Sequence, residues 1–402
     1  MSIKKGGVVS VDVSKSDLTF QPWLGYCEPA GKPKKLPTNL ESMSEIYRLA
    51  KDVGAAASSD PVVAIEDTGV YGRPFLHYLE EAGVKVARMS PLLSSRVGKA
   101  DDKRVKTDAI DCSVIAEAYY TKDKVTGKEF SVKSLDAQDL SRMLRERTNE
   151  AQSAKCRFRK TLDLVWPLWD RAFPSVYAKG PWAIVKEYLH PSVLAGKRTA
   201  TVARMLESNG IHGKRAMTMA EKAIAYAKSC QSGAWECSVM VDDLRYKMSI
   251  LEAILADKAR IEDDLADRFV GSDSFRIATS VPGVGRTLAL LLLAEIGDPS
   301  RFRNSKAIVS YAGFEPRIYG SGVDDGKHRS ISKKGNARLR WAATMAVRTM
   351  TINKSKNAIV SFKERLINEN HLSAEAAIVA AASKLLRILL VMLKSGQEFK
   401  QD

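Results

Sequence analysis

Two short runs of β-branched residues, VVSVDV at 8–13 and VVAIE at 62–66, each carry a carboxylate at or next to their end. Val and Ile favour extended backbone because their branched Cβ restricts the side chain in a helix. Apolar β-branched runs of this length read as strands. Helical patterns at about 40–53, 71–82 and 108–122 and a further strand at 84–89 alternate with them. That alternation predicts an α/β domain with a mixed sheet, its first two strands forming a hairpin.

The acids are the chemically informative part of this pattern. Asp12 falls in the first strand, Glu66 ends the second, and Asp108 and Asp111 stand three apart at the start of a helix. A spacing of three puts two helical side chains on one face. Four converging carboxylates repel one another without a counter-ion, so the natural reading is a divalent-metal site of nuclease type. Asp67 adjoins Glu66 but points to the other face of an alternating strand. Asp101 and Asp102 sit among Lys99, Lys103, Arg104 and Lys106, where a charge-balanced loop is the simpler reading.

Beyond residue 130 the pattern becomes helical. Leu140, Leu144, Ala151, Phe158, Leu162 and Val165 form a narrow stripe along one long helix at 134–165, ended by Pro167 and Pro174. A second long amphipathic run covers 236–268, and shorter patterns between are broken at His190-Pro191 and at Ser208-Asn209-Gly210. The long pair reads as an antiparallel stalk or coiled coil with the short helices at its tip, an ordinary bundle being the alternative. A compact, basic, mostly helical region follows from Phe275. The expected domains are therefore 1–125, 130–270 with a helical insert at about 170–235, and 271–402.

Among 402 residues, 63 Lys/Arg outweigh 47 Asp/Glu, which favours a polyanionic partner such as DNA or RNA. Half of that net charge lies in 301–350, with 11 basic against 3 acidic residues. The five cysteines, Cys27, Cys112, Cys156, Cys230 and Cys237, show no paired or metal-finger spacing, as in a reducing compartment. The N-terminus lacks the apolar core of a signal peptide, and the longest uncharged apolar runs, such as 288–294, are too short to span a bilayer. The expectation is a cytoplasmic protein with no membrane association.

Three C-terminal features point to phosphate chemistry. In SVPGVG at 280–285, Gly283 and Gly285 precede a helix opening with Arg286, resembling the hairpin of helix-hairpin-helix elements; a structural turn is the alternative. The stretch YAGFEPRIYGSG at 311–322 puts Ser321 on a Gly-flanked turn, and cations nearby lower the cost of an attacking alkoxide. Tyr319 and Ser332 are rivals for the same role. Arg317, Lys327, Arg329, Lys333 and Lys334, with Lys106 in the N-terminal half, are placed to neutralise phosphates. The apolar helical runs WAATMAVRTM at 341–350 and 376–393 read as core supports.

The motifs VDVSK, IEDTGVYG, KTDAIDCSVIAE, SVPGVGRTLALLLLAEIGD, RFRNSKAIVSYAGFEPRIYGSG, ISKKGNARLRWAATMAV and ASKLLRILLVMLKSG occur here in that order. Together they closely resemble the DEDD transposases of the insertion-sequence-110 family and its insertion-sequence-1111 relatives, the weakest match being about 170–235. The resemblance implies an N-terminal RNase H-like, resolvase-like domain whose acidic quartet matches Asp12, Glu66, Asp108 and Asp111. It implies Mg²⁺ as cofactor, in a two-ion site where Mn²⁺ can substitute. Two ions about 4 Å apart can assist both the attacking and the leaving oxygen of an in-line displacement. It also implies a nucleophilic serine at Ser321, donor and target DNA, a structured non-coding bridge RNA, and a homo-oligomer active as a dimer of dimers. The sequence departs from the family pattern at Asp67, at Cys112, where alanine is usual, and at Asp324 and Asp325, which read as extra ligands or a gating loop. A family-related invertase without guide RNA and a Holliday-junction-type nuclease remain as alternatives.

Overall fold

The computed structural model describes residues 3–66, 69–89, 108–121, 132–236, 238–316 and 330–400, without the side chains of 108–109 and 132–135. It divides into two compact units, Met1–Gln138 with Ala294–Asp402, and Asp139–Leu293.

The first unit begins with the predicted hairpin. β1 (Val8–Val13) pairs antiparallel with β2 (Asp17–Gly25), and β2 carries β3 (Glu28–Pro29) and β4 (Lys34–Pro37) on its outer edge. After α1 (Leu40–Ala56), β5 (Val62–Glu66) pairs parallel with β1; after α2 (Arg73–Glu81), β6 (Lys85–Met89) pairs parallel with β5. The sheet order is β3-β2-β1-β5-β6, with β4 beside β2. Asn39 starts α1 by accepting the Ser42 N–H, satisfying a donor that the helix itself leaves open.

The period-two geometry of the strands sorts their side chains onto two faces. Val9, Val11, Val13, Val63 and Ile65 pack under α1 and α2 with Met43, Ile46, Phe75 and Leu79. Val8, Val62, Ala64, Ala87 and Met89 pack under α3 (Asp108–Thr121) with Val114, Ile115 and Tyr120. Both faces are therefore covered, which is why these strands read as apolar runs rather than as an alternation.

The second unit is helical. α4 (Val132–Val165) and α10 (Val239–Phe269) run antiparallel within it: Arg147 Nε donates to Asp257 at 2.6 Å and, further along α4, Thr161 Oγ1 donates to Asp243 at 2.9 Å. Of the predicted stripe, Leu144, Ala151, Phe158, Leu162 and Val165 are buried, while Leu140 is half-buried. Between the long helices come α5 (Trp169–Ala172), α6 (Lys179–Tyr188), α7 (Pro191–Ala195), α8 (Thr199–Ser208) and α9 (Gly213–Ser229). Their apolar faces share one core with Phe158, Trp166, Trp169, Leu244 and Leu251. The predicted breaks hold: His190 caps α7 by accepting the Ser192 N–H, with Pro191 at its first turn, and α8 ends before Asn209-Gly210.

Next come α11 (Asp273–Thr279), α12 (Arg286–Ile296), a 3₁₀ turn (Pro299–Arg301), α13 (Ser305–Tyr311), α14 (Ala337–Ile352), α15 (Ala358–Asn368) and α16 (Ala374–Ser395). The run at 376–393, read as a core support, lies in α16, which among the described residues is long and apolar enough to cross a membrane by length and composition alone. Its apolar residues have another use. Ala377, Ala381, Ala382, Leu385, Leu386 and Leu389 are fully buried, and the helix packs on α13, α14 and α15. Lys384 and Arg387 interrupt its surface, as suits a core helix. Free thiols are found at Cys27, Cys112, Cys156 and Cys230.

The α4–α10 pairing has a measurable acid sensitivity. Hydrogen bonds from Lys247 and Thr161 hold the Asp243 carboxyl below its usual range. A depressed carboxylate contributes stability above its unfolded pKa, about 3.9, and loses it as pH falls through the folded value. Asp243→Asn is expected to flatten the fall in stability below about pH 4, measured by urea unfolding across the acid range.

Candidate metal centre and catalytic frame

The β1–β5 register sets the geometry of the acidic site. Val11 lies opposite Ile65 in this parallel pair, so Asp12 and Glu66 are the next residues along adjacent strands. Asp12 shares its strand face with Val8 and Ser10, and Glu66 with Val62 and Ala64, so both lie on the face covered by α3. Both are half-exposed, at the C-terminal ends of two interior strands. A carboxylate there keeps water while standing next to a second one.

α3 is docked over the same place. It packs on β1, β2 and β5, and the buried Cys112 donates its Sγ–H to the carbonyl oxygen of Thr19 at 3.2 Å. Thr19 is the cross-strand partner of Asp12. The residue after Asp111 is thus bonded to the residue opposite Asp12, which brings the first turn of α3 to the Asp12 end of the sheet. Asp111 is half-buried in that turn, where the helix dipole favours negative charge. Asp108 opens the helix, its side chain lying outside the described residues. Among the described residues no group of three His, Cys, Asp or Glu is assembled at metal-binding distance. The acids at this end of the sheet offer carboxylate oxygens, hard ligands of the kind that suit Mg²⁺ or Mn²⁺.

The C-terminal frame is organised around a residue that the sequence reading passed over. Glu295 closes the apolar helix α12 and is fully buried. Its Oε2 accepts from Asn336 Nδ2 at 2.6 Å and its Oε1 from Arg338 Nε at 2.9 Å. Asn336 also donates to Tyr311 Oη, and its Oδ1 caps α14 by accepting the N–H groups of Arg338 and Leu339. Its backbone N–H reaches the Tyr311 carbonyl at 2.6 Å. The Arg301 guanidinium lies over the rings of Phe302 and Tyr311 and donates to the Glu295 carbonyl. A single acid within LALLLLAEI was the available signal, since a charge in an apolar run survives burial only with partners.

These bonds join the chain on both sides of 317–329. Pro316 pairs antiparallel with Ile331, Ser332 N–H donates to the Glu315 carbonyl at 2.6 Å, and Lys333 N–H donates to that of Gly313 at 3.1 Å. A Cβ on Gly335 would stand 2.4 Å from the Tyr311 carbonyl oxygen, so only glycine permits this approach. The predicted cations Lys333 and Lys334 are exposed on the same turn, and Lys333 adopts the left-handed conformation, φ 55°. The Ser332 hydroxyl accepts from Lys334 N–H, which ties it into the turn. Ser321, Arg317, Lys327 and Arg329 lie outside the described residues, as do Lys106, Asp67, Asp101, Asp102, Tyr319, Asp324 and Asp325.

At 280–285 the chain forms the predicted turn between α11 and α12, with Gly283 at φ 79°, a left-handed conformation that a side chain would strain. Gly285 has open space where a Cβ would be. The surroundings differ from expectation: Arg286 pairs with Asp263 at 2.9 Å and Thr287 donates to Glu262, both acids on α10. The Arg286 pair is exposed and therefore weak.

Residues 9–167 match the DEDD transposase family of IS110, and residues 276–362 match the family described as Transposase IS116/IS110/IS902. The insertion element IS116 protein of Streptomyces clavuligerus is 27% identical over 84% of this chain and 83% of its own length. The insertion element IS110 protein of Streptomyces coelicolor is 25% identical over 92% and 90%. A pilin gene-inverting protein of Moraxella bovis is 30% identical over 31% of this chain and 38% of its own.

The Glu295 cluster is testable by stability. Glu295→Ala leaves the half-buried Arg338 guanidinium and Asn336 amide without their acceptor and is expected to cost about 2–3 kcal/mol. Glu295→Gln keeps one acceptor oxygen and should cost about 1–2 kcal/mol. Denaturant unfolding of both variants checks the order.

Proposed function

Because the chain belongs to the IS110 family of insertion-sequence transposases, enzymes that recombine DNA, we propose that it cuts and rejoins DNA through a phosphoserine intermediate at Ser321, assisted by divalent metal at Asp12, Glu66, Asp108 and Asp111. The observation that carries the metal half of this reading is the parallel β1–β5 register, which sets Asp12 beside Glu66 on the face that α3 covers. The Cys112–Thr19 bond supports it by fixing the Asp111 turn at the same sheet end. The mixed sheet with its antiparallel hairpin and parallel β5 and β6 fits an RNase H-like fold.

Bound Mg²⁺ or Mn²⁺ supplies Lewis-acid stabilisation of charge on the phosphate oxygens. The Ser321 hydroxyl loses its proton and its oxygen attacks phosphorus; the scissile P–O bond breaks, and the departing strand's oxygen takes up a proton. The serine ester conserves the energy of the broken bond. A second strand's hydroxyl then attacks, the serine oxygen leaves, and rejoining needs no nucleotide cofactor. Lys327, Arg329 and the exposed Lys333 and Lys334 neutralise the phosphates, with Lys106, Arg317, Gly283, Gly285 and Arg286 as further backbone contacts. Choice of target falls to a structured non-coding RNA that pairs with donor and target DNA. In a dimer of dimers, the carboxylates of one subunit serve the serine of another. The long antiparallel helices act as the stalk, a coiled coil in this reading, and the α11–α12 turn as a helix-hairpin-helix element.

The similarity to a pilin gene-inverting protein favours, as a second reading, inversion between fixed sites without guide RNA. Recombination in vitro with and without the flanking RNA separates the two.

Two outcomes are expected. Wild-type protein with Mg²⁺ should leave a protein–DNA adduct on denaturing gels, and Ser321→Ala should lose both adduct and strand exchange; continued cleavage by that variant would instead mark a hydrolytic nuclease. Mg²⁺ or Mn²⁺ should raise the melting temperature of the wild type by a few degrees and leave Asp12→Asn unmoved, about 2.7 kcal/mol being available at a hundredfold excess over Kd.

A further inference from the structure

The net charge of this chain is concentrated in two places. Residues 301–350 hold 11 Lys/Arg against 3 Asp/Glu, and residues 170–235 hold 10 against 4, so these two segments account for nearly all of the +16. The first is the catalytic frame described above. The second has no part in the proposed chemistry.

All ten cations of the second segment are exposed: Arg171 and those on α6, α8, α9 and the turns between. Lys186 is paired with Glu252, and Lys222 lies over the Phe173 ring. Lys179, Lys197, Arg198, Arg204, Lys214 and Arg215 have no carboxylate partner among the described residues, although Arg147, Arg159, Lys247 and Arg260 on the adjoining long helices all do. Unpaired like charges repel one another and add nothing to the fold. They are also grouped. A Cβ on Gly210 would stand 2.7 Å from Lys179 Nζ, so Lys179 overhangs the α8–α9 turn that leads directly into Lys214 and Arg215. At the other end of α8, Lys197 and Arg198 precede its first residue and Arg204 follows on its exposed side.

We infer that this helical insert is a docking surface for double-stranded DNA, gripped through its phosphates at the α8–α9 turn and the start of α8. The argument is charge complementarity plus what the surface lacks. Single strands are held by stacking bases on exposed aromatic rings. The one aromatic residue on α8 and α9 is Tyr226, which packs against Trp169 and donates its hydroxyl to the Pro167 carbonyl, and the exposed rings of the insert, Tyr177 and Trp235, belong to neither helix nor to the turn between them. Cations on a rigid helical hairpin without such rings read backbone rather than bases. Among nucleic acids, DNA is the substrate that family membership establishes.

The test is binding of the full-length protein to a duplex DNA of about 30 base pairs across a salt series, without added divalent metal. It is thereby independent of the serine and metal chemistry. Two variants remove the charge, Lys179→Gln/Lys214→Gln/Arg215→Gln and Lys197→Gln/Arg198→Gln/Arg204→Gln, and Lys51→Gln/Lys85→Gln serves as reference. Because these side chains are exposed and unpaired, melting temperatures should not change. Each cation–phosphate pairing removed should lower the slope of log affinity against log salt by about 0.9. At least one insert variant should therefore lower it by about 2–3 and weaken binding about tenfold or more, with the reference unmoved. Unchanged DNA affinity and slope in both insert variants would overturn the inference. So would an equal loss in the reference, or a loss confined to an RNA duplex of the same length.

Discussion

Parallel pairing between β1 and β5 is the constraint on which the N-terminal half depends. β1 is held on one side by the antiparallel hairpin strand β2 and on the other by β5, with helices over both faces. A strand so enclosed has no freedom to slip, because a shift by one residue would exchange its two faces and bury Asp12 under α1 and α2. The same register sets Glu66 next to Asp12. Two carboxylates are thereby brought together by burial of their valine and isoleucine neighbours, each worth roughly 1.5–3 kcal/mol when fully buried. The fold supplies the energy that like charges oppose.

The C-terminal half reaches the same end by a different interaction. Here one buried carboxylate, Glu295, is the acceptor around which Asn336, Arg338 and Tyr311 are gathered. Removing a charge from water is costly unless every lone pair finds a donor, so the cluster is all-or-none in its geometry. The chain on either side of 317–329 is consequently fixed by bonds from the end of α12, from α13 and from the start of α14. Gly335 allows the two stems to approach to backbone contact. A segment proposed to carry the nucleophile thus starts and finishes on a rigid base.

Cys112 shows how a departure from a family pattern can be read physically. As a residue type it gave no indication of function. In the structure it is fully buried and its thiol meets the Thr19 carbonyl, so it serves as a weak donor that seats α3 beside Asp12. The insert shows the reverse case. Its helix breaks were legible from His190-Pro191 and Asn209-Gly210, whereas the lack of a carboxylate partner, among the described residues, for cations such as Lys214 and Arg215 emerged only from their three-dimensional surroundings.

By itself the sequence determined the elements and their order: apolar β-branched runs can bury themselves only as covered strands, and the stripe through Phe158 and Leu162 only as a helix face. It also determined the chemistry on offer, because residue types at fixed spacing name their donors, carboxylates on one side and a hydroxyl among cations on the other. Tertiary structure alone decided the register that sets Asp12 beside Glu66 and the burial of Glu295 against Asn336 and Arg338. Those outcomes depend on contacts between residues far apart in the chain, and local propensity carries no information about which distant partner will offset the desolvation cost of a charge or cover an apolar face.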